Sequence, residues 1–272
     1  MMARLNGIDI YYDIAGKGEP LVLIEGLGYS SWMWEFQRSL SDKLELVIYD
    51  NRGVGMSSKP EIPYTMDDFV NDLSGLAENI GLDSFFLLGV SMGGMIAQEF
   101  AFRHGNKLKG LILSSTNFGI HSKQPSADVL KILASQPSES SIYERMAPAF
   151  SRETLENRKD LVEKVIGLRI RSNDKVMQLQ QISAVVEFDS LNRLSNLNMP
   201  VLILCGMDDN VVPPENSSRM HELLIKSCLV KFRDAGHLVN MERSEEYNRE
   251  VLNFIKQVSS GQFTPIREQV VV

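Results

Sequence analysis

The stretch "GVSMGG", residues 89 to 94, sets Ser91 between glycines, directly after the apolar run "SFFLL" and directly before the amphipathic run "MIAQEFAF". A Gly-x-Ser-x-Gly pattern alone would arise by chance about 0.1 times in a chain of this length. Its strand–turn–helix setting gives it a mechanical meaning. Gly89 and Gly93 leave room for a sharp turn that lifts the serine hydroxyl above the end of a sheet. The helix that follows aims free N–H groups at the same point. Ser91 is thus a candidate nucleophile; the plainer alternative is a serine capping an ordinary helix.

A serine hydroxyl is a weak nucleophile and needs a base. The chain offers four histidines. His104 ends the helix after Ser91, where a cation suits the helix dipole, and reads as structural. His121 opens a helical region with nothing around it to support a chemical role. His221 lies in the polar-faced run "NSSRMHELL" and reads as a surface residue. His237 differs: "FRDAGHLVNMERSEEY" puts it in a loop just after the last strand-like run, with Gly236 freeing the turn. It is the candidate base.

The imidazole must be oriented by an acid that holds its other nitrogen. "LILCGMDDNVVPP" offers Asp208 and Asp209 at the carboxyl end of the preceding strand. Asp234 lies too close in sequence to His237 to reach round its ring. Position alone leaves Asp208 and Asp209 both open.

These residues need a scaffold that brings distant loops together. "LVLIEG", "LELVIYD", "SFFLLGVS", "LKGLILSST", "MPVLILCG" and "CLVKFRDAG" read as strands, and amphipathic stretches separate most of them. Continuous apolar character implies strands covered on both faces, hence a mostly parallel α/β sheet flanked by helices. The opening "IDIYYDI" reads as an antiparallel edge. From about 117 to 193 no buried strand is evident, and "SADVLKILAS", "SIYERMAPAF", "TLENRKDLVEKVIGLRI" and "KVMQLQQISAVVEF" read as helices. The expected organisation is a core of 1–116 and 194–260, a helical insertion of 117–193 over the sheet's carboxyl edge, and a tail of 261–272. No partner for the tail's "QFTPIREQVVV" can be inferred.

The sequence resembles the α/β-hydrolase superfamily, in its small-molecule branch with a helical cap, which includes esterases, enol-lactone hydrolases and meta-cleavage-product hydrolases. The resemblance spans about Ile8 to Val258 and is weakest through the insertion. It rests on "GVSMGG", on "YDNRGVGMSS" after a strand, on "GMDDNVVP" and on "DAGHLVNMERSEEYN". The order Ser, Asp, His is the one this fold uses. In the family's Gly-x-x-Asp turn the second acid acts, which implies Asp209, with Asp208 as the fallback. The resemblance also implies an oxyanion hole made by the backbone N–H groups of Met92 and Leu27.

Here the chain departs from its relatives. Most carry His before the glycine of the oxyanion loop, whereas this one has Glu25 in "EGLG". An ionised carboxylate close to a developing oxyanion is repulsive. Three explanations stay open: Glu25 pairs with Arg52, or burial protonates it, or it faces the pocket and favours a cationic or hydrogen-bond-donating substrate. Trp32 and Trp34 follow the loop and are candidates for the pocket mouth or the core. Asp50 and Arg52 read as structural ties. Met92, Met95, Met146 and Met177 fit an apolar pocket, although gap-filling is their commoner role.

Bulk properties exclude several classes. The net charge of −7 argues against a nucleic-acid surface. No apolar run approaches the ~20 residues that span a bilayer, and the N-terminus lacks a signal-peptide centre. A cytoplasmic protein without membrane insertion is expected. Cys205 and Cys228 make no disulfide framework and read as buried hydrophobes. No metal spacing and no phosphate-binding glycine loop is present, so no cofactor is expected.

The expected activity is hydrolysis of a small carboxylic ester or lactone, with an apolar portion, through an acyl-enzyme on Ser91. Thioester or carbon–carbon cleavage would use the same machinery. A lyase or cofactor-free oxygenase, or a ligand receptor on this fold, are the alternatives of another class. Homo-oligomerisation is left open, and no cap arginine, Arg169 or Arg171 included, is assigned to a substrate.

Overall fold

The computed structural model describes residues 1–135, 142–171, 175–265 and 268–272. Ser141, which opens one helical candidate, and 266–267 of the tail lie outside them. The chain begins with β1 (Met2–Leu5), β2 (Ile8–Ala15) and β3 (Glu19–Ile24), then a 3-10 segment (Ser31–Asp42) and β4 (Leu44–Tyr49). There follow α1 (Met66–Asn79), β5 (Phe85–Val90), α2 (Met92–His104) and β6 (Leu108–Ser114). Five helices come next: α3 (Ala127–Ala134), α4 (Ile142–Met146), α5 (Arg152–Asn157), α6 (Lys159–Arg171) and α7 (Lys175–Val185). The chain then returns with β7 (Val201–Gly206), α8 (Glu215–Leu223), β8 (Ser227–Phe232), α9 (Val239–Glu242), α10 (Ser244–Ser259) and β9 (Glu268–Val271).

The strands form one nine-stranded sheet in the order β1-β2-β4-β3-β5-β6-β7-β8-β9. The pairings of β1 with β2 and β2 with β4 are antiparallel, as the alternating N-terminus implied, and the rest are parallel. The unbroken apolar runs are explained by burial on both faces. In β3, Val22 and Ile24 enter one core with α1 and α2 residues such as Phe69 and Ile96. Leu21 and Leu23 enter the opposite core with Trp34 of the 3-10 segment and Phe254 of α10.

Register places the chemistry. Ile24 pairs with Gly89, Gly89 with Leu113, and Ser114 with Leu204, so β3, β5, β6 and β7 end level. Residues just beyond those ends meet at one edge, in strands about 4.8 Å apart. Leu27, Ser91, Asp209 and His237 all follow such ends.

Two details depart from the sequence expectation. "TLENRKDLVEKVIGLRI" is not one helix: it breaks at Arg158 (φ −128°, ψ 52°) between α5 and α6. The Arg158 guanidinium donates to the Glu242 carbonyl, anchoring the break on the His237 side of the core. The tail does have a partner. β9 pairs in parallel with β8, Leu229 against Glu268 through Phe232 against Val271, and buries Val271.

The strand-end turn after β4 is tied down as its residue types suggested. Asp50 accepts from the N–H groups of Ser31 (2.6 Å) and Met56 (2.8 Å). Arg52 donates through Nε and Nη2 to both oxygens of Asp72 on α1 (2.7 and 2.8 Å), and Asp68 lies 2.8 Å from Nη1. Arg52 and Asp72 are buried. Removing Asp72 leaves the buried Arg52 with Asp68 as its remaining ionic partner. Asp72→Ala is expected to lower the unfolding free energy by less than the roughly 3–5 kcal/mol of a fully stranded charge, read by chemical denaturation.

Candidate active site

Ser91 sits at the junction of β5 and α2 with φ 55° and ψ −119°, a left-handed conformation that costs a non-glycine residue about 1–3 kcal/mol. The surroundings enforce it. Ser91 N–H donates to the Ser114 carbonyl (2.9 Å), and the Ser91 carbonyl accepts from Gly94 N–H (2.9 Å) and Thr116 Oγ1 (2.7 Å). The flanking glycines are steric necessities: a Cβ at Gly89 would lie 2.2 Å from the Gly93 carbonyl oxygen, and one at Gly93 would lie 2.3 Å from that of Ile24.

His237 Nδ1–H donates to Asp209 Oδ2 at 2.9 Å, in a buried contact. The other Asp209 oxygen accepts from Val211 N–H (2.8 Å) and Val212 N–H (2.7 Å), which fixes the carboxylate's orientation. With Nδ1 carrying the proton, Nε2 is the basic nitrogen of the neutral ring. The loop that carries His237 is held by a residue the sequence analysis passed over. Buried Glu242 accepts from Gly236 N–H and Ser151 N–H, both at 2.8 Å, joining the histidine loop to the inserted helices. An acid five residues after the histidine was the available signal. Asp208 and Asp234 are both exposed, and the Asp208 carboxyl is raised by partial burial and by Asp234.

After β3 the chain makes a turn in which Tyr29 N–H donates to the Gly26 carbonyl (3.1 Å). A Cβ at Gly26 would touch the Ser91 Cβ at 3.4 Å, so this loop lies against the serine. Gly28 N–H donates to Gln181 Oε1 of α7 (2.8 Å), and Gln181 Nε2 donates to the Arg52 carbonyl (3.1 Å). Arg169 of α6 donates to the carbonyls of Gly28 and Leu27 and stacks over Tyr29. The N–H groups of Leu27 and Met92 have no acceptor among the described residues. Nothing in the sequence marked Gln181 for this position.

Glu25 is fully buried, and its Oε1 accepts from Asn51 N–H (2.7 Å), while Oε2 has no hydrogen-bond partner among the described residues. The ion pair with Arg52 does not form, because Arg52 turns to Asp72 and Asp68. Burial, reinforced by the Asp50 charge, raises the Glu25 carboxyl well above the usual carboxylate range, favouring the neutral acid.

A cavity of about 400 Å³ opens over Ser91, lined also by Gly26, Leu27, His237 and side chains of the inserted helices. Met146 lines it, but Glu25, Trp32 and Trp34 are not among its lining residues. Trp34 is fully buried in the core and Trp32 packs on Tyr29 with ring centroids 5.0 Å apart. Met92 and Met177 are buried.

The remaining histidines lie elsewhere. His104 packs on Phe100, and burial with Lys107 and Arg103 lowers its pKa. His121 is 3.5 Å from Asp189 at the surface. His221 is half-buried rather than a surface residue, with Nδ1 2.7 Å from Ser227 Oγ. Both cysteines are free and buried, and burial pushes the Cys205 thiol up to about 12. Among the described residues no cluster could hold a metal ion and no helix is long and apolar enough to cross a membrane.

A serine at a strand–helix elbow, sharing one cavity with a carboxylate-bound imidazole at the carboxyl edge of such a sheet, defines a class of protein. The sequence model of the alpha/beta hydrolase fold matches residues 19–244, and the chain belongs to that family of hydrolase enzymes. It is 28% identical over 244 residues to a poly(3-hydroxyalkanoate) depolymerase of Ectopseudomonas oleovorans, covering 88% of this chain and 84% of that protein. A thermophilic esterase from Thermogutta terrifontis superposes with a TM-score of 0.81 at 27% identity, over 95% of this chain and 98% of that one. The enol-lactonase of Burkholderia xenovorans LB400 shares the fold, with a TM-score of 0.83 at 24% identity over 94% and 100% of the two chains.

Because the folded pKa of Glu25 is raised, its stabilising effect is present below the unfolded carboxylate pKa and is lost as pH rises through the folded value. Glu25→Gln keeps an acceptor for Asn51 N–H and removes the titration. The stability of the variant relative to wild type is therefore expected to increase as pH rises above the unfolded carboxylate pKa, by at most about 1.4 kcal/mol per pH unit. Denaturation curves across a pH series check this; parallel profiles for the two proteins would contradict it.

Proposed function

We propose that the protein hydrolyses a small carboxylic ester or lactone through an acyl-enzyme on Ser91. The observation that carries this reading is the strained serine and the Asp209-bound His237 lining one cavity with Leu27. Ser91 Oγ attacks the substrate carbonyl while His237 Nε2 takes its proton, and Asp209 stabilises the imidazolium. The N–H groups of Leu27 and Met92 receive the negative oxygen of the tetrahedral intermediate, each worth roughly 2.7–4 kcal/mol. His237 then protonates the leaving alkoxide. A water, deprotonated by the same nitrogen, releases the acid and restores Ser91.

The position of Glu25 behind the cavity wall favours this hydrolytic reading over a lyase or oxygenase in which Glu25 is the acid or base. The depolymerase and esterase names of the relatives point the same way, since both describe ester cleavage.

Purified protein is expected to turn over short p-nitrophenyl esters and to be labelled by a fluorophosphonate. Ser91→Ala should abolish labelling and lower kcat by about 10⁵–10⁶-fold, and Asp209→Asn should cost about 10⁴-fold. Turnover surviving Ser91→Ala would refute the acyl-enzyme. Gln181→Leu, which releases Gly28 N–H, is expected to lower kcat by roughly tenfold to a hundredfold with little change in KM, since it loosens groups used only in the transition state.

A further inference from the structure

Glu25 is the feature of the oxyanion turn that the proposed mechanism leaves unused. It follows β3 directly and stands two residues before Leu27. Its Cα therefore lies within about 7.6 Å of the Leu27 Cα, two links of about 3.8 Å. Its backbone presses on the elbow. A Cβ at Gly93 would lie 2.6 Å from the Glu25 carbonyl oxygen, and one at the next residue, Gly26, would lie 3.4 Å from the Ser91 Cβ. The side chain is fully buried, and Oε2 has no hydrogen-bond partner among the described residues.

The groups around this carboxyl give a negative charge little support. From the β4 side come Tyr49, Asp50 and Arg52. Asp50 repels a second carboxylate, and Arg52 commits its guanidinium to Asp72 and Asp68 of α1. Burial, with the charges of Glu25 and Asp72, raises the Tyr49 hydroxyl well above the ordinary phenol range, so it stays neutral. Beyond the turn, Arg169 of α6 holds the Leu27 and Gly28 carbonyls and stacks on Tyr29, and His237 lines the cavity with Ser91. Among the described residues no cation pairs with Glu25. A carboxylate in this low-dielectric wall opposes the negative oxygen that the Leu27 and Met92 N–H groups are proposed to receive.

We propose that Glu25 is a positioning residue of the oxyanion turn that works only as the neutral acid, so that its ionisation switches hydrolysis off at alkaline pH. As the acid it accepts from Asn51 N–H and ties the turn after β3 to the turn after β4 without placing charge beside the oxyanion. His237 must be neutral to take the serine proton, so kcat rises with pH on one limb. Glu25 adds the opposite limb. Its folded pKa is raised, so the protonated form persists above the usual carboxylate range and is lost as pH rises through the folded value. This inference rests on the hydrolase reading above and adds a protonation requirement to the same site.

The test measures kcat for p-nitrophenyl butyrate across a pH series in wild type and Glu25→Gln. Ser91→Ala gives the blank for spontaneous hydrolysis, and circular dichroism at each pH confirms the fold. Wild type is expected to lose about tenfold or more of its kcat on the alkaline limb, with KM changing much less. Glu25→Gln is expected to show no alkaline fall, whatever its plateau rate. The rate of fluorophosphonate labelling at Ser91, which uses the same N–H groups, is expected to follow the same two profiles. A wild-type profile without an alkaline fall, or a fall that Glu25→Gln leaves in place, overturns the role of Glu25. Should Glu25→Gln not fold, wild type decides: the infrared band of a protonated carboxyl must fade over the pH range in which kcat falls, and separate midpoints overturn the proposal. Labelling that falls with pH in wild type and not in Glu25→Gln, in a protein that turns over no ester, supports the role of Glu25 and overturns the hydrolase reading instead. Absence of both labelling and turnover overturns both.

Discussion

One backbone conformation organises this molecule's candidate active site. Ser91 is held at a positive φ by hydrogen bonds to β6 and the loop behind it, and by two glycines whose missing side chains let β3, β5 and α2 come within carbonyl contact. The strain is affordable because a parallel sheet, buried on both faces, surrounds it. The same level strand ends that fix the serine also bring in the Asp209 and His237 loops, which share no local sequence with it.

The second constraint runs from the inserted helices to the core. Gln181 and Arg169 grip the turn after β3 through its backbone, and Glu242 clamps the start of α5 to the histidine loop. The insertion is therefore more than a cover over a cavity. Its helices fix peptide planes beside the proposed nucleophile, so the orientation of the Leu27 N–H depends on packing contributed by residues some 150 positions later.

Sequence reading was strongest where local chemistry and geometry coincide. The elbow was visible because glycine spacing, strand and helix occur within a dozen residues, and the α/β sheet because doubly buried strands are apolar throughout. His237 stood out by its place after a strand. Choosing Asp209 over Asp208 needed the resemblance, since adjacent acids differ only in which side chain turns inward: Asp209 is buried and Asp208 is exposed. Glu25 could not be resolved because its state depends on Asn51, Asp50 and on where Arg52 goes, all set by tertiary packing. Arg52 went to Asp72, a partner on another element whose sequence distance hid it. Gln181 and Glu242 were missed for the same reason. A lone polar residue on an amphipathic helix looks like solvent-facing surface until the neighbouring loop is in place.

The parallel pairing of β9 with β8 has a further consequence. Without that strip, β8 would present an open row of amide and carbonyl groups at the margin of the sheet, a template on which another extended chain could lodge. β9 is only four residues long and buries a single valine. Such a short seal opens more readily than the strands beneath it. The molecule thus closes one margin of its sheet with a four-residue strip, and opening of that strip would bare β8 to pairing with another chain.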